Sequence, residues 1–396
     1  SRGEGSPLEQ ARRALELGAL KRAEYLLKQI SNTPGEAQEA VLVDLMRLAE
    51  LWQESGKSVR AARLYEEVVE RLESIHGGDS PELIEPLRRR ATALLETDLA
   101  HEQACEPAED CLRRALRLQE QYRGSGTIEA GWILLDLTDL IQDHERCDEA
   151  ESLARQAWDI AGDHAWDDSN LFFEATEWLA WWYEVHQEWG PGRRLLESSL
   201  EIAGQLLGAD HPRMAELMGN LANMLLQDGR DVEEADRLCA RGLDLLARCY
   251  GDMPVSTDAW PRSPDELAQM RLVLSSLHAI RAHAMFIQGD LRACRFLLNR
   301  ALLMLDVSDA EVSPEVRTGL ASAHGSTLQA LAHLAIEEDD DAAAERLYHR
   351  ALAHAEHGDA DRHATILEDF ATWLDDNGRH AEADQARHDA DDIRNG

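Results

Sequence analysis

Apolar residues recur at three- and four-residue spacing along almost the whole chain, the spacing that puts one face of an α-helix toward a core. One stretch shows the rule. Leu45, Leu48, Ala49 and Trp52 mark one amphipathic face, Gly56 interrupts it, and Ala61, Tyr65 and Val68 mark the next. Proline falls where a helix can begin, in Ser80-Pro81, His211-Pro212, Ser263-Pro264 and Ser313-Pro314, because the first turn needs no amide donor. No segment alternates apolar and polar residues in a strand-like setting over five or more positions. The pattern predicts helices throughout and almost no sheet.

The same face pattern repeats. Small residues stand where paired helices must approach closely, and bulky ones where space between pairs must be filled. Ala282, Met285, Gly289, Leu291, Cys294, Leu298, Ala301 and Leu302 form one unit. Leu331, Ala332, Ala335, Ala344, Tyr348, Ala351 and Leu352 form another, and Leu367, Phe370, Ala371, Leu374, Gly378, Ala383 and Ala390 close the series. Between them lie units marked by Ala115-Leu116, Ala150/Ala154/Ala157, Leu196/Leu200 and Ala235/Cys239/Leu243, and a partial unit at the start carries Gly18, Ala23, Leu27 and Ile30. The count is about eight full repeats plus the first partial one. Gly192, where alanine is expected, and Arg387, at a bulky position, fit least well.

This pattern resembles the tetratricopeptide repeat, and the spacing of roughly 42 residues resembles its longer form. The segment Leu207-Gly208-Ala209-Asp210-His211-Pro212, then Asn220-Leu221-Ala222 and Leu238-Cys239 to Leu243, is similar to the long repeats of kinesin light chains and their bacterial relatives. The resemblance implies an all-α, right-handed alpha-alpha superhelix, a solenoid of about eight to nine helix pairs. It places one array over residues 1–251 and a second over 266–396. Residues 252–265, with Pro254, Trp260, Pro261 and Pro264, read as an inserted loop or joint. An insertion around Ala100–Pro107 lengthens one turn.

Composition narrows the partners. With 396 residues, 44% hydrophobic and 29% charged, the chain has ample core material and no stretch of the ~20 apolar residues that a membrane span needs. A formal charge of −36 speaks against nucleic-acid binding, which needs a basic stripe. It favours a basic partner or simply keeps the surface soluble. No secretory leader opens the chain and the six cysteines form no CxxC pair, so a reduced cytoplasmic setting is expected, with Cys111, Cys239 and Cys294 on core faces. The opening Ser1-Arg2-Gly3 lacks an initiator methionine, as in a segment of a longer protein.

If the first helix of each pair lines the concave face, as the resemblance implies, three indoles, six carboxylates and two asparagines converge there. Trp132, Asp136, Asp139, Gln142 and Asp143 come from one repeat. Glu174, Glu177, Trp178, Trp181 and Glu184 come from the next, and Asn220, Asn223 and Gln227 from the third. Ile280, His283 and Phe286 make a drier stretch beyond. Carboxylates beside indoles suit lysine or arginine, and asparagine can meet an extended peptide backbone at both its donor and its acceptor. Kinesin light chain grooves resemble this in their asparagines but are basic, so their cargo preference does not carry over. Six of the ten tryptophans lie between Trp158 and Trp189, and Trp158, Trp166 and Trp182 read as packing. His354 and His357 share a helix face, but no cysteine or HExxH-type pairing joins them, so neither a metal nor a cofactor is expected. With no phosphate loop and no nucleophile elbow, catalysis is not expected either. The expected function is a scaffold for a protein or peptide. The alternatives are the sensor or autoinhibitory arm of a signalling enzyme and an acidic mimic of nucleic acid.

Overall fold

The computed structural model describes residues 6–31, 38–97, 101–141, 146–229, 231–250, 263–306 and 312–395. Among them are eighteen α-helices, one 3-10 turn at Pro81–Leu83 and no strand. The chain divides into two compact units, Ser1–Leu179 and Ala180–Gly396. The first contains α1 (Pro7–Glu16), α2 (Leu20–Ser31), α3 (Gln38–Glu54), α4 (Ser58–His76), α5 (Ile84–Leu95), α6 (His101–Tyr122), α7 (Ile128–Ile141) and α8 (Cys147–Asp163). Helix α9 (Ser169–Val185) carries the division. The second unit continues with α10 (Trp189–Leu207), α11 (Arg213–Gln227), α12 (Val232–Tyr250), α13 (Pro264–Ile287), α14 (Leu291–Leu305), α15 (Pro314–Glu337), α16 (Asp341–Ala355), α17 (Ala360–Asp376) and α18 (His380–Asn395).

Helices pack on their sequence neighbours, and odd-numbered helices also meet each other: α1 on α3, then α11 on α13, α13 on α15 and α15 on α17. This is the contact pattern of an α-solenoid, in which each hairpin buries its apolar stripe mainly against the next. The periodic alanines are what permit it. Ala49, Ala61, Ala282, Ala301, Ala332, Ala351 and Ala371 have no exposed surface at all. Tyr65 and Tyr348 fill the intervening space, equally buried. One core runs from Ala11 to Leu137 in the first unit, and another from Leu328 to Ala390 in the second.

Six of the described hairpins, the α1–α2 turn at Gly18 among them, turn through one motif. After α3 the amide of Gly56 donates to Gln53 O (2.8 Å) and that of Lys57 to Trp52 O (2.9 Å), with Gly56 at φ +71°. The bond spanning five residues closes a Schellman cap, which requires a left-handed residue. Gly289 and Gly378 do the same at φ +79° and +75°. Gln187 and Asp339 occupy the equivalent place at φ 56° and 57° without glycine's freedom.

Two sequence expectations change. His101–Pro107 does not lengthen a turn: these residues belong to α6, which runs for 22 residues with Pro107 inside it. Gly192 is not a degenerate alanine. A Cβ there would stand 3.0 Å from Tyr183 Cβ and 2.6 Å from Met224 Cε, so glycine is what lets these helices meet. Residues 252–262 of the proposed joint lie outside the described residues, while Ser263 caps α13 through Glu266 N. The six cysteines, all among the described residues, form no disulfide, and Cys111, Cys239 and Cys294 are buried.

Candidate functional site

In the first unit, the expected residues of α7 and α9 are largely engaged with their own neighbours. Half-buried Trp132 donates its indole N–H to Asp168 Oδ2 at 2.9 Å, while Asp168 Oδ1 accepts from Asn170 N (3.0 Å) and Leu171 N (3.3 Å) at the start of α9. Asp136 Oδ2 accepts from Arg88 Nε of α5 at 2.6 Å. Asp139 is different. Desolvation first, and the nearby Asp136 charge second, hold its carboxyl above the usual aspartate range, and the Trp178 indole N–H directed at it offsets part of this. Glu174 and Glu177 are exposed on α9, and Trp178 is half-buried. Asp143 and Gln142 lie outside the described residues.

The neighbouring tryptophans have other surroundings. Trp158 donates to the buried Thr176 Oγ1 at 3.0 Å, and its ring lies 6.3 Å from that of Phe172, so it joins α8 to α9. Trp166, read as packing, is instead 75% exposed, because it falls in the short connection between those helices where no neighbouring helix covers it. In the second unit Trp181 is 47% exposed, whereas Trp182 beside it is buried and stacks on His186 with ring centres 4.0 Å apart. Glu184 Oε1 accepts from Asn223 Nδ2 at 3.0 Å, joining α9 to α11.

The second unit also holds two adjoining cavities on its odd-numbered helices. One, of about 390 Å³, lies among α11, α13 and α15 and is lined by Glu216, Gly219, Asn220, Ser276 and Leu277 with others. The next, of about 410 Å³, lies mainly between α13 and α15, with His283, Phe286, Leu298, Ala330, His333 and Glu337 around it. Ala279, Ser326 and Thr327 border both, so the two form one trough. Ser326 Oγ donates to Ser322 O (2.9 Å) and Thr327 Oγ1 to Ala323 O (2.8 Å). Their hydrogens are therefore turned back into the helix, leaving the oxygen lone pairs as acceptors.

Histidine chemistry is graded along this wall. Desolvation lowers the His283 pKa, which favours the neutral ring with one donor and one acceptor nitrogen. His333 Nε2 stands 3.3 Å from Asp369 Oδ2 on α17, and Asp369 also accepts from Gln329. The His333 bond first, and Gln329 with it, hold the Asp369 carboxyl below its ordinary range. His354, considered above as a ligand, stacks on His324 with ring centres 4.3 Å apart. No group of three His, Cys, Asp or Glu among the described residues could hold a metal ion. No helix among them is long and apolar enough to cross a membrane.

Sequence reasoning reached Asn220, His283 and Phe286 but missed Glu216, Ser276, Ser326, His333 and Glu337. A signal was present. Helices α13 and α15 are each 24 residues long and begin with a Ser-Pro cap. Their added turns are tied together where Ser313 N donates to Asp265 Oδ1 at 2.7 Å, and these longer helices supply most of the trough.

No protein-family model and no curated protein matches the chain. Solved structures do. The apo form of RapI matches over 98% of this chain and 96% of that one, with a TM-score of 0.60 at 10% identity. A signal-transduction ATPase from Pyrococcus horikoshii, described as having a tetratricopeptide-repeat sensor, matches 75% of this chain with a TM-score of 0.50 at 16% identity. This chain covers 41% of that protein. Kinesin-light-chain repeats from Podosopora anserina match 53% of this chain and 97% of theirs, with a TM-score of 0.45 at 19% identity. The chain has the all-α fold of tetratricopeptide-repeat proteins.

Proposed function

We propose that this chain is a non-catalytic scaffold of the cytoplasm that holds a protein or peptide against its odd-numbered helices. The observation that carries the reading is the trough across α11, α13 and α15. It is preformed, largely apolar, and set with dispersed amide, hydroxyl and imidazole groups. Such a surface suits an extended chain, whose backbone needs scattered donors and acceptors and whose side chains need pockets. In the first unit Asp139, Glu174, Glu177 and Trp178 support a basic partner, with the three carboxylates offering charge and Trp178 a half-buried ring. Trp181, Glu184, Asn220 and Asn223 extend the same preference within the second unit.

The test is retention of partners from host extract on the immobilised protein, compared with Ser326→Trp, which plugs the junction of the two cavities. A partner held by the wild type and released by the plugged, still helical variant is expected. Equal retention by both would sink the trough as the binding surface. A second reading, a sensor arm of a signalling ATPase, is favoured by the described role of the Pyrococcus horikoshii protein. Its test is the full-length gene, where an adjoining catalytic domain is required.

A further inference from the structure

We propose that the trough takes an extended segment of a protein partner with a lysine or arginine side chain seated in the α13–α15 cavity; this rests on the reading of the trough as a partner site. The floor of that cavity is apolar, with Ala279, Phe286, Leu298 and Ala330. Among the described residues Glu337 is the one carboxylate around it, and neither lysine nor arginine lines either cavity. An aliphatic stem can lie on this floor with its cationic head at Glu337, and the Phe286 ring adds a face that attracts cations. The arginines of α13 do not line this cavity, and the lowered His283 pKa disfavours a charged ring beside that head. A carboxylate or phosphate in the same place would meet Glu337 here and Glu216 in the adjoining cavity, within a chain of net charge −36. Charge therefore selects a basic residue.

The trough also sets the length of the segment. Packed helices lie about 8–10 Å apart, so crossing from α11 to α15 covers roughly 16–20 Å. An extended chain rises about 3.3 Å per residue, which makes the occupant some six residues long. Asn220, His283 and the acceptor oxygen of Ser326 stand along this path to meet its backbone. The adjoining cavity, walled by Leu272, Val273 and Leu277, takes an aliphatic side chain of the same segment.

A random linear heptapeptide display library panned on the whole protein tests this, with Ser326→Trp as the counter-selection. Peptides lost on the plugged protein should share a lysine or arginine. A synthetic peptide of that consensus, followed by fluorescence anisotropy, should bind Glu337→Gln roughly five- to tenfold more weakly and Glu337→Lys more weakly still. Trough-dependent peptides without a basic residue, or basic ones indifferent to both Glu337 variants, overturn the inference and leave the partner site standing. If no peptide depends on the open trough, the site reading falls with it.

Discussion

The indole nitrogen of Trp132 lies 2.9 Å from Asp168 Oδ2, so a tryptophan on α7 helps hold the residue that caps α9. A side chain chosen by its position as a contact for a partner thus has its polar edge committed within the protein. Its ring remains half-exposed. Asp136, held by Arg88, follows the same logic: residues of the expected wall fasten helices to one another.

Replacing Trp132 with phenylalanine should keep the ring packing and remove the bond to Asp168. A bond to a charged acceptor at a half-buried site is worth about 1–2 kcal/mol. Urea unfolding should show a loss of that size, with faster hydrogen exchange at the Asn170 and Leu171 amides. Unchanged exchange there would mean the indole does not support the cap.

Asp139 should titrate above an ordinary aspartate, because desolvation and the Asp136 charge disfavour its ionised form. Its contribution is therefore fully present at low pH and lost as pH rises through the raised folded value. In a carbon-detected NMR titration, Asp136→Asn should move Asp139 back toward the usual range. A titration identical in the two proteins would contradict the like-charge explanation.

His278 on α13 has a buried Nδ1 with no hydrogen-bond partner, and desolvation, with Arg300 and Arg281 nearby, lowers its pKa from 6.5 to about 4. The unfolded chain binds the extra proton between those values. Stability from this group is complete above pH 6.5 and is lost as pH falls toward 4. With allowance for solvent screening, the loss is on the order of 2 kcal/mol. Thermal melts of His278→Leu across this window should lack that part of the acid slope.

Gly192→Ala should destabilise the second unit. The end of Met224 can move, but Tyr183 Cβ, at 3.0 Å from the new methyl group, is fixed to its helix. Overpacking of about 1–3 kcal/mol exceeds the gain of about 1 kcal/mol in helix propensity. A raised melting temperature would show that the helices can part without penalty.

Gln187→Gly should have the opposite sign. Gln187 holds φ 56° in the turn after α9, a conformation that disfavours a side chain by roughly 1 kcal/mol. Denaturant unfolding should show stabilisation of up to about that size, reduced by the greater freedom of glycine in the unfolded chain.

Much of this architecture was legible in the order of residues, because helix faces and helix turns are local. Three- and four-residue spacing marks the buried stripe of each helix, Ala332 and Ala351 mark where two stripes approach, and Gly56, Gly289 and Gly378 mark where the chain reverses. These choices depend on neighbours within a few turns, so the hairpins and their order could be read without coordinates. Which polar side chain faces which was decided between repeats. Residues 132 and 168, 88 and 136, or 184 and 223 lie more than thirty positions apart, and only the stacking of hairpins brings them within hydrogen-bond reach. Likewise Ser276, Ser326 and Glu337 are ordinary helix residues in sequence. They line a trough because α11, α13 and α15 lie side by side, and an empty space between helices belongs to no single segment of the chain.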